Sequence, residues 1–100
     1  MVKIQKRGAV LFVQGIVINH HAEKVLQTLE DTARDQQTIV LDLEDLEFID
    51  DHSAQQLFLA MDSLKKRGCR ISVRNAQEKV LIRLLKAGIV LHKANRQRAG

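Results

Sequence analysis

The chain has no tryptophan, no tyrosine and no proline, and only three phenylalanines among its 100 residues. Its core must therefore be aliphatic, and a stacking platform of large aromatics has no material to be built from. The single cysteine, Cys69, has no partner for an internal disulfide, which agrees with a reducing compartment. The five glycines, Gly8, Gly15, Gly68, Gly88 and Gly100, do not cluster into a GxGxxG or GxxxxGK pattern, so nucleotide hydrolysis has no visible machinery. No apolar run approaches the roughly 18 residues needed to span a bilayer, and the opening Met-Val-Lys-Ile-Gln-Lys-Arg alternates where a signal peptide would be continuously apolar. The expected location is the cytoplasm, or the cytoplasmic face of a membrane. Four histidines and one cysteine are available as metal ligands, but His20 and His21 are adjacent and would diverge by about 100° on a helix. No metal centre and no cofactor are expected.

What is present is a hydrophobic share of 45%, ordinary for one globular domain. The net charge of +4 conceals an asymmetry. Residues 1–60 hold five Lys/Arg against ten Asp/Glu, a net of −5, whereas residues 61–100 hold eleven against two, a net of +9. Half of the carboxylates, Asp42, Glu44, Asp45, Glu47, Asp50 and Asp51, fall within ten residues. That edge of the molecule should repel phosphate-rich ligands. The basic half, with Arg70, Arg74, Lys79, Arg83, Lys86, Lys93, Arg96 and Arg98, raises nucleic-acid binding as a weaker alternative, opposed by the acidic half and the missing aromatics.

Periodicity organises the chain into an α/β pattern. Val2 and Ile4 alternate with Lys3 and Gln5, Arg7-Gly8 can turn, and Ala9-Val10-Leu11-Phe12-Val13 is a continuous apolar strand, which suggests an opening hairpin. Asn19 is a plausible N-cap for an amphipathic helix carrying Ala22, Val25, Leu26, Leu29 and Ala33 on one face. Residues 38–43 read as the middle strand of the sheet. A second helix starts near Asp50 or Asp51, buries Ala54, Leu57, Phe58, Met61 and Leu64, and stops at Gly68 after Lys65-Lys66-Arg67. Cys69, Ile71 and Val73 alternate with Arg70, Ser72 and Arg74 in a strand with one solvated face. A last helix lined by Val80, Leu81, Leu84 and Leu85 ends at Gly88, and Ile89-Val90-Leu91 packs back before a polar tail. Domain boundaries of 1–92 for the folded unit and 93–100 for the tail follow. Strands alternating with helices imply right-handed βαβ units in a sheet of four or five strands with three or four helices.

Where the run Phe48-Ile49-Asp50-Asp51-His52-Ser53-Ala54 passes from strand to helix, two carboxylates stand side by side. Neighbours in a first helical turn diverge, and each stabilises the helix dipole by about 0.3–1 kcal/mol, so capping fits them better than paired acid/base chemistry. A nucleophile pair of Cys69 and His52 would need a base beside a thiol that alternation places in the core. No catalytic residue is assigned.

The ordered set Gly15-Ile-Val-Ile-Asn-His-His-Ala22-Glu23, Val40-Leu41-Asp42-Leu43, Phe48-Ile49-Asp50, Gly68-Cys-Arg-Ile-Ser-Val-Arg-Asn75 and Val80 through Gly88-Ile89 resembles the STAS domain over most of the chain. That family is shared by anti-sigma factor antagonists and the cytoplasmic ends of sulfate-type (SulP) anion transporters. The resemblance implies a non-catalytic protein-binding module with helices packed mainly on one face of a mixed sheet. It also implies a strand ending in hydrophobic-Asp-Ser/Thr, whose hydroxyl a partner kinase phosphorylates to release the antagonist from its target. Carried onto this chain, Asp50 takes the family's Asp and Asp51 the phosphorylatable position. A register one residue later would give Asp51 and His52 instead, and neither register supplies a hydroxyl. Asp51 brings one fixed negative charge where phosphoserine carries about 1.5–2.

Two further departures point in different directions. Antagonists read Gly-Glu-Leu/Ile-Asp before the first helix where this chain reads Gly15-Ile16-Val17-Ile18, closer to transporter-linked domains, although the bulky aromatics of those domains are absent. Glu78 stands where a proline is common. The expected partner-facing patch is Asn19, His20 and His21 with Asp50, Asp51, His52 and Ser53. Its partner is an anti-sigma or switch-kinase type protein or the membrane part of a transporter, and a second copy of the chain is a further possibility.

Overall fold

The opening hairpin forms as its alternation requires. Strand β1 (Val2–Arg7) pairs antiparallel with β2 (Val10–Val17), placing Arg7 opposite Val10 across a tight turn. Gly8 takes the first central position of that turn at φ 61°, where a Cβ would be strained. The computed structural model describes residues 1–90. The expected tail, with Leu91, lies outside the described residues.

Six elements follow in alternation: α1 (His21–Ala33), β3 (Thr38–Asp42), β4 (Leu46–Ile49), α2 (Asp51–Lys66), β5 (Arg70–Arg74) and α3 (Glu78–Ala87). The five-stranded mixed sheet runs β1-β2-β3-β5, and β4 also pairs with β2. β3 lies parallel to Val10, Leu11 and Phe12, while β4 takes over parallel to Gly15, Ile16 and Val17 after a register shift. Residues 43–45 thus join two short strands that share one long neighbour. β2 runs on to Val17, beyond the apolar run that marks its start, because β4 supplies ladder partners for its less hydrophobic second half.

The core is aliphatic. Leu11 and Val13 of β2, Ile39 and Leu41 of β3 and Val73 of β5 alternate inward to meet Val25 and Leu29 of α1, Ala54 and Leu57 of α2, and Val80 and Leu84 of α3. Leu41, fully buried, is representative, and truncation to alanine should cost about 2–5 kcal/mol. On the opposite sheet face Lys3, Gln5 and Thr38 are exposed, and Phe12 and Val40 are half-buried. Arg7 covers Phe12 there, its guanidinium carbon 5.8 Å from the ring centroid.

Two local expectations are corrected. Asn19 does not cap α1: it is in the left-handed region at φ 51°, and His20 is the N-cap residue, with no side-chain cap bond. Instead, backbone bonds from the N–H groups of His21, Ala22 and Glu23 to the carbonyls of Ile18, Asn19 and His20 wind the helix up. Leu85 does not line the core either. Val80 and Leu84 fill α3's buried face, and Leu85, one residue or about 100° further round, is 53% exposed. Gly88 ends α3 as expected, at φ 104°.

Candidate functional site

The strand-to-helix junction at Asp50 is built by hydrogen bonds from three directions. Asp50 is extended, with φ −82° and ψ 168°, and caps α2. Its Oδ1 accepts the Ser53 backbone N–H at 2.8 Å, and its own N–H donates to the Val17 carbonyl at 3.1 Å. The left-handed turn at Asn19 brings that residue's backbone near the same carboxylate, where it favours the charged form. Desolvation alone would raise the Asp50 pKa. Support from Ser53, the Asn19 backbone and the nearby His52 outweighs it and holds the carboxyl below the usual range. The structure therefore brings Asn19 and Asp50 into one corner, by a backbone contact.

Asp51 has a different environment. It is the first residue of α2, its side chain is 67% exposed, and Oδ1 accepts from Arg83 Nη1 at 2.8 Å. The Arg83 guanidinium carbon also stands 4.9 Å from the centroid of the Phe48 ring. One arginine of α3 thus holds the end of β4 and the start of α2 together. The ion pair is exposed enough to contribute only about 0.2–1 kcal/mol, with a cation–π contribution of about 0.5–1. Arg83 was not distinguishable in the sequence from the other cations of the basic half. Its signal is position: it lies three residues after buried Val80 and four before half-buried Ala87, on the flank of α3's apolar stripe.

The remaining patch residues divide. His52, Asn19 and His20 are exposed, and His21 is half-buried with its ring 4.8 Å from that of His20, edge to face. His21 Nδ1 lies 3.4 Å from the Met1 nitrogen. Burial, the Met1 ammonium and His20 push the His21 pKa down, against the Ile16 backbone. Ser53 does not belong to the surface: it is 1% exposed and its hydroxyl has no partner within hydrogen-bonding geometry. The expectation that it faces a partner is corrected, because three residues after the cap the helix has turned that position inward.

A second polar cluster closes the same end of the sheet. Asp42, 4% exposed, accepts from Arg74 Nε at 2.8 Å, Asn75 Nδ2 at 3.0 Å and the Glu44 N–H at 3.0 Å. Burial would raise its pKa, but the bonds from Arg74, Glu44 and Asn75 lower it on balance. This cluster ties the ends of β3 and β5.

Among the described residues no group of three or more His, Cys, Asp or Glu could hold a metal ion. Cys69 is buried at the far end of α2 from His52, roughly 25 Å away at 1.5 Å per helical residue. Its Sγ contacts the Gln36 carbonyl at 3.6 Å, and burial pushes its pKa up against the opposing Arg67. The two cannot act as a nucleophile pair. No described helix is long and apolar enough to cross a membrane.

Comparison with known proteins agrees with this architecture. Residues 1–93 match the family model of the STAS domain. The unphosphorylated anti-sigma factor antagonist SpoIIAA superposes with a TM-score of 0.69 at 14% identity, over 99% of this chain and 96% of that one. The STAS domain of a SulP transporter from Vibrio cholerae gives 0.66 at 28% identity, over 91% of this chain and 73% of that one. A Ser-to-Glu variant of Moorella thermoacetica RsbS gives 0.62 at 16%, over 97% and 92%. A search of curated proteins returned no match. Domains of this kind are in general interaction modules without catalysis of their own, and the site here is made of caps and ion pairs. By the family match over residues 1–93 and the shared fold, this chain belongs to the STAS domain family.

Proposed function

We propose that this STAS domain is a non-catalytic regulatory docking module whose partner meets the corner formed by Asn19, His20 and His21 with Asp50, Asp51 and His52. In this reading Asp51 occupies the position where antagonists carry a phosphorylatable hydroxyl and supplies a fixed negative charge. The observation that carries the reading is the exposure of Asp51 at the helix start, its side chain 67% open to solvent even with Arg83 at 2.8 Å. The neighbouring carboxylate, Asp50, is consumed by capping, which leaves Asp51 as the charge a partner meets. Ser53, buried behind the cap, offers no accessible hydroxyl to a kinase. Incubation with a switch kinase and ATP should leave the intact mass unchanged, and a phosphate mapped to Ser53 would overturn the assignment.

A second reading is a STAS domain that serves the membrane part of a SulP-type anion transporter. It is favoured by the 28% identity to the Vibrio cholerae transporter domain, against 14% for SpoIIAA, and by the apolar Ile18 before α1. The reading frame decides between the two: a series of hydrophobic spans upstream of Met1 selects the transporter.

A further inference from the structure

The sheet leaves β5 as an outer strand. It pairs only with β3, and no described strand lies on its other side. The Arg70 N–H donates to the Gln37 carbonyl at 2.7 Å and the Arg74 carbonyl accepts from the Leu43 N–H at 3.0 Å, so the even-numbered residues of β5 turn their amide groups toward β3. In a parallel ladder the intervening residues then point theirs outward. The N–H and C=O groups of Ile71 and Val73 therefore face the open edge.

Beside that edge lies a groove with a cavity volume of about 490 Å³. Phe58 and Met61 of α2, Ile71 and Ile89 form its apolar part, and Lys65, Arg70 and Asp62 its charged part. Arg70 and Ile71 are consecutive strand residues with side chains on opposite sheet faces. The cavity touches both, and Thr38 at the start of β3 as well, so it wraps the corner of the sheet where β5 begins, beside the open edge. Lys65 and Arg70 have no side-chain ion pair or hydrogen bond among the described residues, whereas Asp62 in the same lining is engaged by Lys66 at 3.2 Å.

We propose that this groove binds an extended peptide segment of alternating acidic and apolar residues, which adds to β5 as a sixth strand. Outward amides supply the ladder, the apolar wall takes one set of side chains, and Arg70, on the opposite sheet face, takes the carboxylates of the other set, with Lys65 of α2 adding positive charge to the groove. A small anionic amphiphile would use the wall and the cations but would leave the strand edge unmatched, so the edge favours a peptide. The groove lies at the outer strand, away from the Asp50–Asp51 corner, and the proposal does not depend on the reading of that corner.

Fluorescence anisotropy with a labelled peptide of about eight residues alternating Val and Glu tests it directly. The probe should bind with a Kd below about 1 mM and slow hydrogen exchange at the Ile71 and Val73 amides. The double variant Lys65→Glu/Arg70→Glu should weaken it at least about tenfold with an unchanged melting temperature. N-methylation of alternate peptide amides should abolish binding in one phase and spare it when the methyls are shifted by one residue. The proposal is overturned by no binding up to about 1 mM, by affinity indifferent to N-methylation or charge reversal, or by decyl phosphate binding where the peptide does not.

Discussion

Adjacent carboxylates at the start of α2 should differ sharply when removed, because one is a cap and the other is not. Asp50→Ala deletes the acceptor for the Ser53 N–H at 2.8 Å. Loss of an N-cap costs about 1 kcal/mol, and loss of a charge at a helix start adds about 0.3–1. Together these approach about 2 kcal/mol. For a domain of this length each kcal/mol lowers the melting temperature by about 4–8 °C, so a fall of about 8–16 °C is expected. Asp50→Asn keeps the acceptor and should recover most of it. Asp51→Ala removes an exposed ion pair and part of a dipole interaction, and should cost at most about 1 kcal/mol. Differential scanning calorimetry of the three variants at neutral pH measures all of this. If Asp50→Ala costs no more than Asp51→Ala, the division of labour between cap and surface charge is wrong.

Three other outcomes follow from the geometry. A double-mutant cycle of Asp51→Ala with Arg83→Ala should give a coupling of about 0.2–1 kcal/mol in urea titrations, shrinking toward zero near 1 M salt; a larger, salt-insensitive coupling would contradict an exposed pair. Gly15→Ala should cost more than Gly8→Ala. Both glycines have positive φ, but only at Gly15 would the added Cβ come within 2.5 Å of a backbone atom, the Met1 carbonyl oxygen, whereas Gly8 faces open space. Equal urea midpoints would show that the N-terminal strand yields at no cost. Acid should destabilise the fold through Asp42 and Asp50. Burial raises both pKa values, but hydrogen bonding lowers both on balance, below the unfolded value of about 3.9. Their contribution is complete above about pH 5 and is lost as pH falls through the folded values. Asp42→Asn/Asp50→Asn should flatten the stability curve between about pH 5 and 2, and an unchanged slope would show that other groups drive acid unfolding.

The hairpin, the three helices and the central place of β3 were legible because apolar spacing marks them, joined at α2 and α3 by end residues that agree. Ile39, Leu41, Val80 and Leu84 were all readable as core. The split edge beside β2 was less so: β4 is only four residues long, and its pairing to the far half of β2 depends on a register shift next to Gly15 that no alternation reveals. Asn19 misled because Asn serves both as an N-cap and as a left-handed turn residue, and here the turn conformation wins, bringing its backbone near Asp50. Leu85 misled because a helix of ten residues offers the core only a narrow stripe, which Val80 and Leu84 already fill. At the site, the Asp50–Asp51 pair could be located from sequence, whereas Arg83 could not. Its partnership spans 32 residues and exists only once α3 packs beside the start of α2.

In the proposed function Asp51 acts as a fixed charge on a docking surface. Isothermal titration of the wild-type domain and of Asp51→Ser, unphosphorylated, against the cognate anti-sigma-type partner tests it most directly. Removal of the charge should tighten binding about tenfold, or about 1.4 kcal/mol, with the fold unchanged by circular dichroism. Equal affinity for the two forms would contradict it and reduce Asp51 to a helix-start carboxylate.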